Sequence, residues 1–406
     1  MRPVNDWKPD MRSALRKGIP LLGLLAAAGT LPAQFLEEFN AGDAGAGSTP
    51  PGWTCATGDG QAGMDFVEND GYATIHVDAT GDRQGIWWAL IRRPVPGLDM
   101  ERLVRPGYEL RAEARIRVSH APRRVNLHFN HQRTTDYHSH LMEFDIPEAD
   151  TWHTISMTTR NFEVRADDQV NAQLALMDWG QDRYTVDIDY FKVDVVPAAM
   201  VEKDLGHPLP YHPPIPDPAS FAHRLTAAQD GVVDRQFPDL NFGDWASIGE
   251  DGPVPVLAVS GTQLTILRWE PGEFRGRRVA GPGLLVLGTR SLQRSPRYAK
   301  DFGMVRVKEI LGGDPDWEAD SVTMNSLLSG AELNAVINSQ MVIDYPVTAD
   351  PDGKSYFVIN EQVMNRLLSG ETRGLAIFPL GAVNAAFHTG GADDAGLRPA
   401  LLFNLQ

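Results

Sequence analysis

The feature that most restricts the fold of this chain is the alternating stretch Tyr108–Val118. Apolar residues occupy every second position from Tyr108, and each residue between them is Glu or Arg. Successive side chains of a β-strand point to opposite sides, so this spacing predicts a strand with one side in a core and the other in water. Half-exposed strands of this kind are typical of antiparallel sheets.

The same alternation recurs in short segments at 72–77, 125–131 and 184–196, and in 138–146, where the register of the first residues stays open. With 38 Gly and 29 Pro, the chain has enough turn residues to separate many short strands. A length of 406 residues is too great for one core and suits two domains. The sequence therefore predicts an all-β fold of two consecutive, jelly-roll-like β-sandwich domains.

The N-terminus has the pattern of an export signal, predicted to span residues 1–34. Basic residues precede an apolar run at 19–29, which is too short to cross a bilayer as a permanent helix. Met11 is an alternative start, because Asp6 and Asp10 are unusual in a basic leader. We therefore expect a secreted protein, either extracellular or periplasmic.

A proline-rich stretch marks the boundary between the two predicted domains. Six prolines fall between positions 208 and 218, a spacing that suits an extended, semi-rigid linker. The first sandwich is thus predicted at 35–197, the linker at 198–219 and the second sandwich at 220–406.

The overall charge restricts the partners. The 37 Lys and Arg against 53 Asp and Glu give a net charge of −16, which argues against nucleic acid or an anionic membrane surface. After the leader, we find no segment apolar enough for membrane insertion. Cys55 is the single cysteine, so the sequence excludes a disulfide within the chain.

The first half resembles carbohydrate-binding-module-like β-sandwiches of secreted polysaccharide-degrading proteins. The resemblance rests on the opening segment at 35–40, on the Gly52-Trp53 pair and on the closing strand at 184–196. It implies a β-sandwich with a polysaccharide as partner.

The second half resembles DNRLRE domains, which are secreted β-sandwiches found beside polysaccharide lyases and hydrolases. The resemblance rests on the pattern of the segments at 265–269, 322–325 and 399–403. An internal echo accompanies it: the segment at 324–330 returns forty positions later at 364–370. We interpret this echo as a pseudo-symmetric element of the sandwich, because a solenoid would repeat it more often.

Positive charge and histidine are concentrated near the middle of the first half. Between positions 111 and 133, six arginines stand against Glu113 alone, a local net charge of +5. Five of the eleven histidines lie between His120 and His140. A basic face of this kind would attract uronate or sulfated sugars.

One interpretation of this region is catalysis. Polysaccharide lyases remove a proton beside a uronate carboxylate with a histidine or tyrosine, while Arg, Asn or Gln neutralises the carboxylate. Alginate-lyase-type jelly rolls carry three strand motifs: Arg-x-Glu-x-Arg, Gln-x-His and Tyr-Phe-Lys. This sequence has similar motifs in the same order, but Asn replaces Gln in the second one. Its first two motifs also lie closer together than in that family. The resemblance implies these candidate catalytic residues: His128, Arg115, Asn126, Tyr190 and Lys192.

A second interpretation is sugar binding without chemistry, because Asn, His, Arg and Glu hydrogen-bond hydroxyl groups and Trp stacks on sugar rings. The candidate ligand-binding residues are Arg111, Glu113, Asn130, His131, Arg133, His138, His140, Glu143 and Trp179. The other tryptophans that could stack on a sugar are Trp87, Trp88 and Trp152.

A metal site is the third interpretation, in which His138 and His140 would act with His128 or His131. Their spacing does not define the remaining ligand, so no metal-binding residues are predicted and no cofactor is required. Structural Ca²⁺ stays an alternative, with the candidate ligands Glu37, Glu38, Asp187, Asp189 and Asp194.

These observations lead to one preferred function and two alternatives. The preferred one is a secreted polysaccharide-binding protein that acts in the degradation of an acidic glycan. The first alternative is a lyase that cleaves a uronate polymer by β-elimination on the first sandwich. The second is an adhesion or matrix protein.

Overall fold

The computed structural model describes residues 34–40, 47–58, 62–81, 88–135, 140–177, 182–199, 215–243, 246–249, 252–294, 303–338 and 342–406. These residues form four antiparallel sheets arranged as two β-sandwiches, which confirms the predicted all-β fold. The segment Ala33–Gln406 is one compact unit. None of the described helices is long and apolar enough to cross a membrane.

The first sandwich is built from two sheets. Sheet A has the strand order β3-β4-β11-β6-β9, with β1 paired to β11, and sheet B has the order β2-β5-β10-β7-β8. The strands are β1 (Phe35–Glu37), β2 (Thr54–Thr57), β3 (Gly63–Glu68), β4 (Ala73–Asp78), β5 (Trp88–Pro94), β6 (Tyr108–Val118), β7 (Arg123–His131), β8 (Leu141–Ile146), β9 (His153–Thr158), β10 (Val170–Met177) and β11 (Arg183–Pro197); helix α1 (Met100–Leu103) precedes β6.

The alternation in the sequence decides which side of each strand faces the first core. In β6, Leu110 and Ile116 are fully buried between the sheets, whereas Arg111 and Arg117, which follow them, point to the outer side. In β7, Leu127 and Phe129 fill the same core from the opposite sheet. Burial of a large apolar side chain stabilises the fold by about 1.5–3 kcal/mol.

The second sandwich follows the same plan. Sheet C has the order β12-β23-β17-β22-β15-β14, with β20 paired to β17, and sheet D has the order β13-β16-β21-β18-β19. The strands are β12 (His223–Thr226), β13 (Gln229–Asp234), β14 (Ala246–Gly249), β15 (Gly252–Val259), β16 (Gln263–Arg268), β17 (Gly283–Arg294), β18 (Gly303–Ile310), β19 (Ile343–Pro346), β20 (Lys354–Ile359), β21 (Gly374–Gly381), β22 (Val383–His388) and β23 (Ala400–Phe403), and the helices are α2 (Met324–Leu328), α3 (Leu333–Val336) and α4 (Glu361–Ser369).

The internal echo is helical in both places, so the pseudo-symmetric element of the sandwich is a helix. Thr323 caps α2 through its side chain, and Asn360 caps α4 by accepting a hydrogen bond from the Val363 amide. The shared Leu-Leu-Ser-Gly ending places Gly330 and Gly370 at φ of 80° and 88°, where glycine carries no steric cost. The repeated sequence is therefore a capped helix with its stop signal.

The two sandwiches contact each other through buried charges at the start of β7. Arg124 donates to Asp145 in its own sandwich at 2.6 and 2.8 Å, and to Asp344 on β19 at 2.8 Å. In the second sandwich, Arg366 binds Glu309 at 2.9 Å and lies 3.6 Å from Asp182 at the start of β11. Direct contact therefore joins the sandwiches, in addition to the predicted linker.

Candidate functional site

The outer side of sheet B carries a group of neutral polar side chains. On β7, the alternation that sends Leu127 into the core turns Asn126, His128 and Asn130 outward. On β10, the same alternation turns Asn171 and Gln173 to the same side. We refer to these five residues as the amide face.

Strand register aligns the amide face into rows. One row crosses all the strands of sheet B and reads Thr54, Arg92, Gln173, His128 and Leu141. Residues directly opposite each other have Cβ atoms about 4.5–5.5 Å apart, and the row is about 19 Å long at the ~4.8 Å spacing of neighbouring strands. The amide face is therefore a continuous set of aligned side chains, each at most 7% exposed.

Two shorter rows complete the face. Asn171 lies opposite Asn130, and Asn126 lies opposite Glu143 on the edge strand β8. Both margins are accessible, because Arg92 is exposed and the Glu143 side chain is 38% exposed. Loss of solvation raises the pKa of Glu143 above its usual range, and the nearby Arg124 opposes the shift.

Three amides of this face have polar atoms without a partner in the described part of the chain. They are Asn126 Oδ1, Asn130 Nδ2 and Asn171 Oδ1, and each belongs to a side chain that is at most 5% exposed. A buried polar atom left without a hydrogen bond costs about 1–3 kcal/mol. Such atoms normally bind water or a ligand, so the amide face has unused capacity for hydrogen bonding.

The histidine-rich turn lies beside the amide face. His131 and His140 flank the ring of Phe162, with centroid distances of 5.5 and 4.8 Å. The His131 Nδ1 atom accepts a hydrogen bond from the Arg133 amide at 3.1 Å, and the Arg133 guanidinium is bound to Asp168. These side chains pack together at the end of β7.

A second set of predicted residues lies on the outer side of sheet A. Glu113 accepts hydrogen bonds from Tyr190 at 2.8 Å and from Lys192 at 2.7 Å, and Arg111 lies 3.7 Å away. Burial raises the pKa of Glu113, but these donors outweigh it and lower the pKa overall. Arg115 forms its own ion pair with Asp189 at 2.6 Å.

The predicted catalytic set is therefore divided, which corrects the expectation of one lyase site. Arg115, Tyr190 and Lys192 lie outside sheet A, whereas Asn126 and His128 lie outside sheet B. The two sheets pack face to face at about 10 Å, and their outer sides point away from each other. The reason is topological, because the consecutive strands β6 and β7 enter different sheets.

The predicted basic face does not form either. Arg117 is bound to Asp187 at 2.7 Å, Arg124 to two aspartates, and Arg133 to Asp168. Arg123 is fully buried, with its guanidinium carbon 3.6 Å from the centroid of the Tyr184 ring. Aspartates elsewhere in the chain thus neutralise most of these arginines, so the local positive charge counted along the sequence does not form a basic surface.

Some predicted residues lie outside the described residues, among them His138, Trp87 and Trp179, and for Trp88 only the backbone is described. Trp152 contacts Arg115 and Arg117, so it lies on the side of sheet A. Within the described ranges, no group of three or more His, Cys, Asp or Glu could hold a metal ion.

Four of the five candidate calcium ligands are engaged in other contacts. Glu37 pairs with Arg93 at 2.6 Å, Asp187 and Asp189 pair with arginines of β6, and Asp194 accepts a hydrogen bond from the Gln34 amide. Structural Ca²⁺ stays a prediction.

The sequence interpretation missed Asn171, Gln173 and Arg92. A signal was present in β10, where Val170, Ala172, Leu174 and Leu176 alternate with the two amides. This alternation identifies them as outward residues, but only strand pairing places them beside β7.

No family model and no curated protein matches this chain. The resemblance of the second half to DNRLRE domains therefore stays a prediction. Solved structures with similarity to the chain include tailspike protein 4 of bacteriophage CBA120, at 9% identity and a TM-score of 0.26. That alignment covers 36% of this chain and 20% of the tailspike chain.

Two carbohydrate-binding modules are also similar in structure. The family 11 module from Clostridium thermocellum, solved with a β-1,3-1,4-mixed-linked tetrasaccharide, has 8% identity and a TM-score of 0.25 over 36% of this chain and 89% of that chain. TmCBM61, solved with β-1,4-galactotriose, has 10% identity and a TM-score of 0.23 over 36% and 90%. These similarities do not assign a ligand to this chain.

Proposed function

We propose that the first sandwich binds a polysaccharide on the amide face of sheet B. The observation that carries this proposal is the set of buried amide atoms on Asn126, Asn130 and Asn171 that lack partners among the described residues. Sugar hydroxyl groups both donate and accept hydrogen bonds, so they can satisfy an amide oxygen and an amide nitrogen alike.

The chemistry of the face favours contact with the hydroxyl groups of a ligand over contact with phosphate or apolar groups. Its central residues are three Asn, one Gln and one His, and Arg92 and Glu143 stand at its two margins. A phosphate-rich ligand would require a concentration of cations, and an apolar ligand would leave the amides unsatisfied. A glycan chain lying along the rows would satisfy the amides with its hydroxyl groups, and this contact does not require a concentration of cations.

The wider role of the protein follows from this binding as a proposal. The predicted export signal would place the protein outside the cytoplasm, where polysaccharides are degraded. In this setting, the first sandwich holds the glycan. The second sandwich, which buried ion pairs fix to the first, assists binding at the end of the amide face where these ion pairs lie.

Isothermal titration calorimetry against a panel of neutral and acidic oligosaccharides tests this proposal. Gln173→Ala and Asn130→Ala are expected to weaken binding roughly two- to tenfold each, as the loss of one hydrogen bond predicts. Tyr190→Phe on sheet A is the matched control, and it should bind as the parent protein does.

Two outcomes would contradict the proposal: absence of glycan binding by the parent protein, or a larger loss in Tyr190→Phe than in the sheet B variants. Incubation with uronate polymers, while following the absorbance of unsaturated products, tests the lyase alternative in parallel. If the absorbance rises with the parent protein and does not rise with Lys192→Ala, the result would support the lyase alternative on sheet A.

A further inference from the structure

The second sandwich carries a cationic patch on the outer side of sheet D. Val305 and Val307 of β18 point into the core, so Arg306 and Lys308 point outward. Arg306 lies opposite Asp344 on one neighbouring strand and opposite Phe378 on the other. Helices α2 and α3 cover the far part of this side, and the edge formed by β18 and β19 carries the cations.

The acid nearest to the patch is already shared by two arginines. Arg306 donates to both oxygens of Asp344 at 2.7 Å, and Arg124 of the first sandwich donates to Oδ2 at 2.8 Å. Asp344 is fully buried, so its charge is directed to these two guanidinium groups. Asp344 also attracts the Lys308 ammonium, but burial and Arg306 outweigh this attraction.

Lys308 itself has no carboxylate within salt-bridge distance among the described residues. Its Nζ atom lies 4.9 Å from the centroid of the Phe378 ring. The side chain is half-buried. Burial is the main cause that lowers the pKa of Lys308 to about 8; Arg306 and Arg235 act in the same direction, and Asp344 opposes them. An ammonium group on the same strand side as Arg306 and beside an aromatic ring is a site where an anion would be stabilised.

A short chain of contacts joins this patch to the amide face. Asn126 lies opposite Glu143, whose carboxylate is 3.7 Å from the Arg124 guanidinium. Arg124 in turn binds Asp344, the partner of Arg306. The amide face and the cationic patch therefore lie on either side of the same ion-pair cluster.

We propose that Lys308, together with Arg306 and Phe378, forms a subsite for the carboxylate or sulfate group of an acidic glycan that also occupies the amide face. The proposal rests on the proposed function, because the same glycan would contact both sandwiches. Phe378 would support the apolar side of a sugar ring while the cations bind its acidic group. The second sandwich thus selects the charge of the ligand, and the amide face binds its hydroxyl groups.

The test compares matched polymers that differ only in charge. Polygalacturonate and its methyl ester form the carboxylate pair, and dextran sulfate and dextran form the sulfate pair. Each is titrated into the full chain, into Lys308→Gln and into Lys354→Gln, which removes the same charge from the exposed start of β20. The preferred acidic group is the one whose pair shows the larger difference in affinity.

We expect the parent protein to bind one charged polymer more tightly than its neutral partner. Lys308→Gln should reduce that preference roughly three- to tenfold, in the range of a hydrogen bond to a charged group that is partly screened. Lys308→Arg should retain the preference and Lys354→Gln should leave it unchanged. Thermal unfolding of each variant verifies that the fold is intact.

The possible failures are distinguishable. If the parent protein binds none of the polymers, the proposed function itself fails. If it binds charged and neutral polymers equally, or if Lys308→Gln and Lys354→Gln have the same effect, glycan binding stands and the subsite is refuted.

Discussion

Arg124 in the first sandwich and Asp344 in the second form a buried ion pair across 2.8 Å, and both side chains are at most 2% exposed. Arg124 also binds Asp145, and Asp344 also binds Arg306, so the pair lies at the centre of a cluster that spans both sandwiches. Electrostatic interactions with these acids outweigh burial and raise the pKa of Arg124, whereas the two arginines outweigh burial and lower the pKa of Asp344. The sandwiches therefore behave as one unit.

Replacing Arg124 with Gln should destabilise the protein strongly. The change leaves the buried carboxylates of Asp145 and Asp344 short of a cation, which typically costs about 3–5 kcal/mol. Urea unfolding should show a lower midpoint and, because the contact between the sandwiches is broken, two transitions in place of one. Arg183→Gln is the control, since that ion pair with Asp78 is exposed and screened by water and should change stability little. Equal effects of the two variants would show that the buried cluster does not couple the sandwiches.

Replacing Asn171 with Leu should separate binding from stability. The Oδ1 atom of Asn171 has no partner among the described residues, so an apolar residue of similar branching should leave the free energy of unfolding unchanged or raise it. Glycan binding, measured by calorimetry, should weaken roughly two- to tenfold, as for the other amides of the face. The control is Asn360→Leu, which removes the hydrogen bond that caps α4 and should cost about 0.5–2 kcal/mol. A large destabilisation of Asn171→Leu would mean that the amide serves the fold.

Binding of a charged glycan should depend on pH through Lys308. Its pKa is lowered to about 8, with Arg306 on its own strand, Asp344 on β19 and Arg235 after β13 as the charged groups around it. Lys308 is charged below this value and neutral above it, so affinity for the charged polymer should fall as the pH rises through about 8. Titrations of the neutral polymer should change little over this interval, and Lys308→Gln should give a flat profile with both. A fall of equal size in Lys308→Gln would assign the titration to another group.

Asp168 should contribute stability that disappears in acid. Hydrogen bonds from Arg133 lead the effects that lower its pKa to about 2, and the Arg165 amide donates to it at 2.7 Å. A carboxyl group with a depressed pKa stabilises the fold above its ordinary value of 3.8 and loses that contribution as the pH falls through about 2. Thermal unfolding of Asp168→Asn should therefore show a lower Tm near neutral pH and a shrinking difference toward pH 2. Asp167→Asn, which changes an exposed neighbour, should match the parent protein throughout.

Local pattern predicted the strands of this protein well, because the side on which a residue lies depends on its position within the strand. The alternation in Tyr108–Val118 identified β6 with its observed bounds, and Leu110 and Ile116 are fully buried as expected. The outward direction of Asn126, His128 and Asn130 followed from the same period. For the echoed segment, local pattern was insufficient, since its capping residues and glycine stop make it helical.

The sequence by itself determined the all-β class, the two sandwiches and the polar side of each strand, since these depend on a period of two residues and on turn chemistry. Only the tertiary structure decided which polar sides meet. Strands β6 and β7 enter different sheets, so Arg115 and His128 face away from each other, while strand pairing brings Gln173 beside His128 and sandwich contact brings Asp344 to Arg124. Strand pairing and long-range ion pairs join residues far apart in the chain, and local spacing carries no record of those partners.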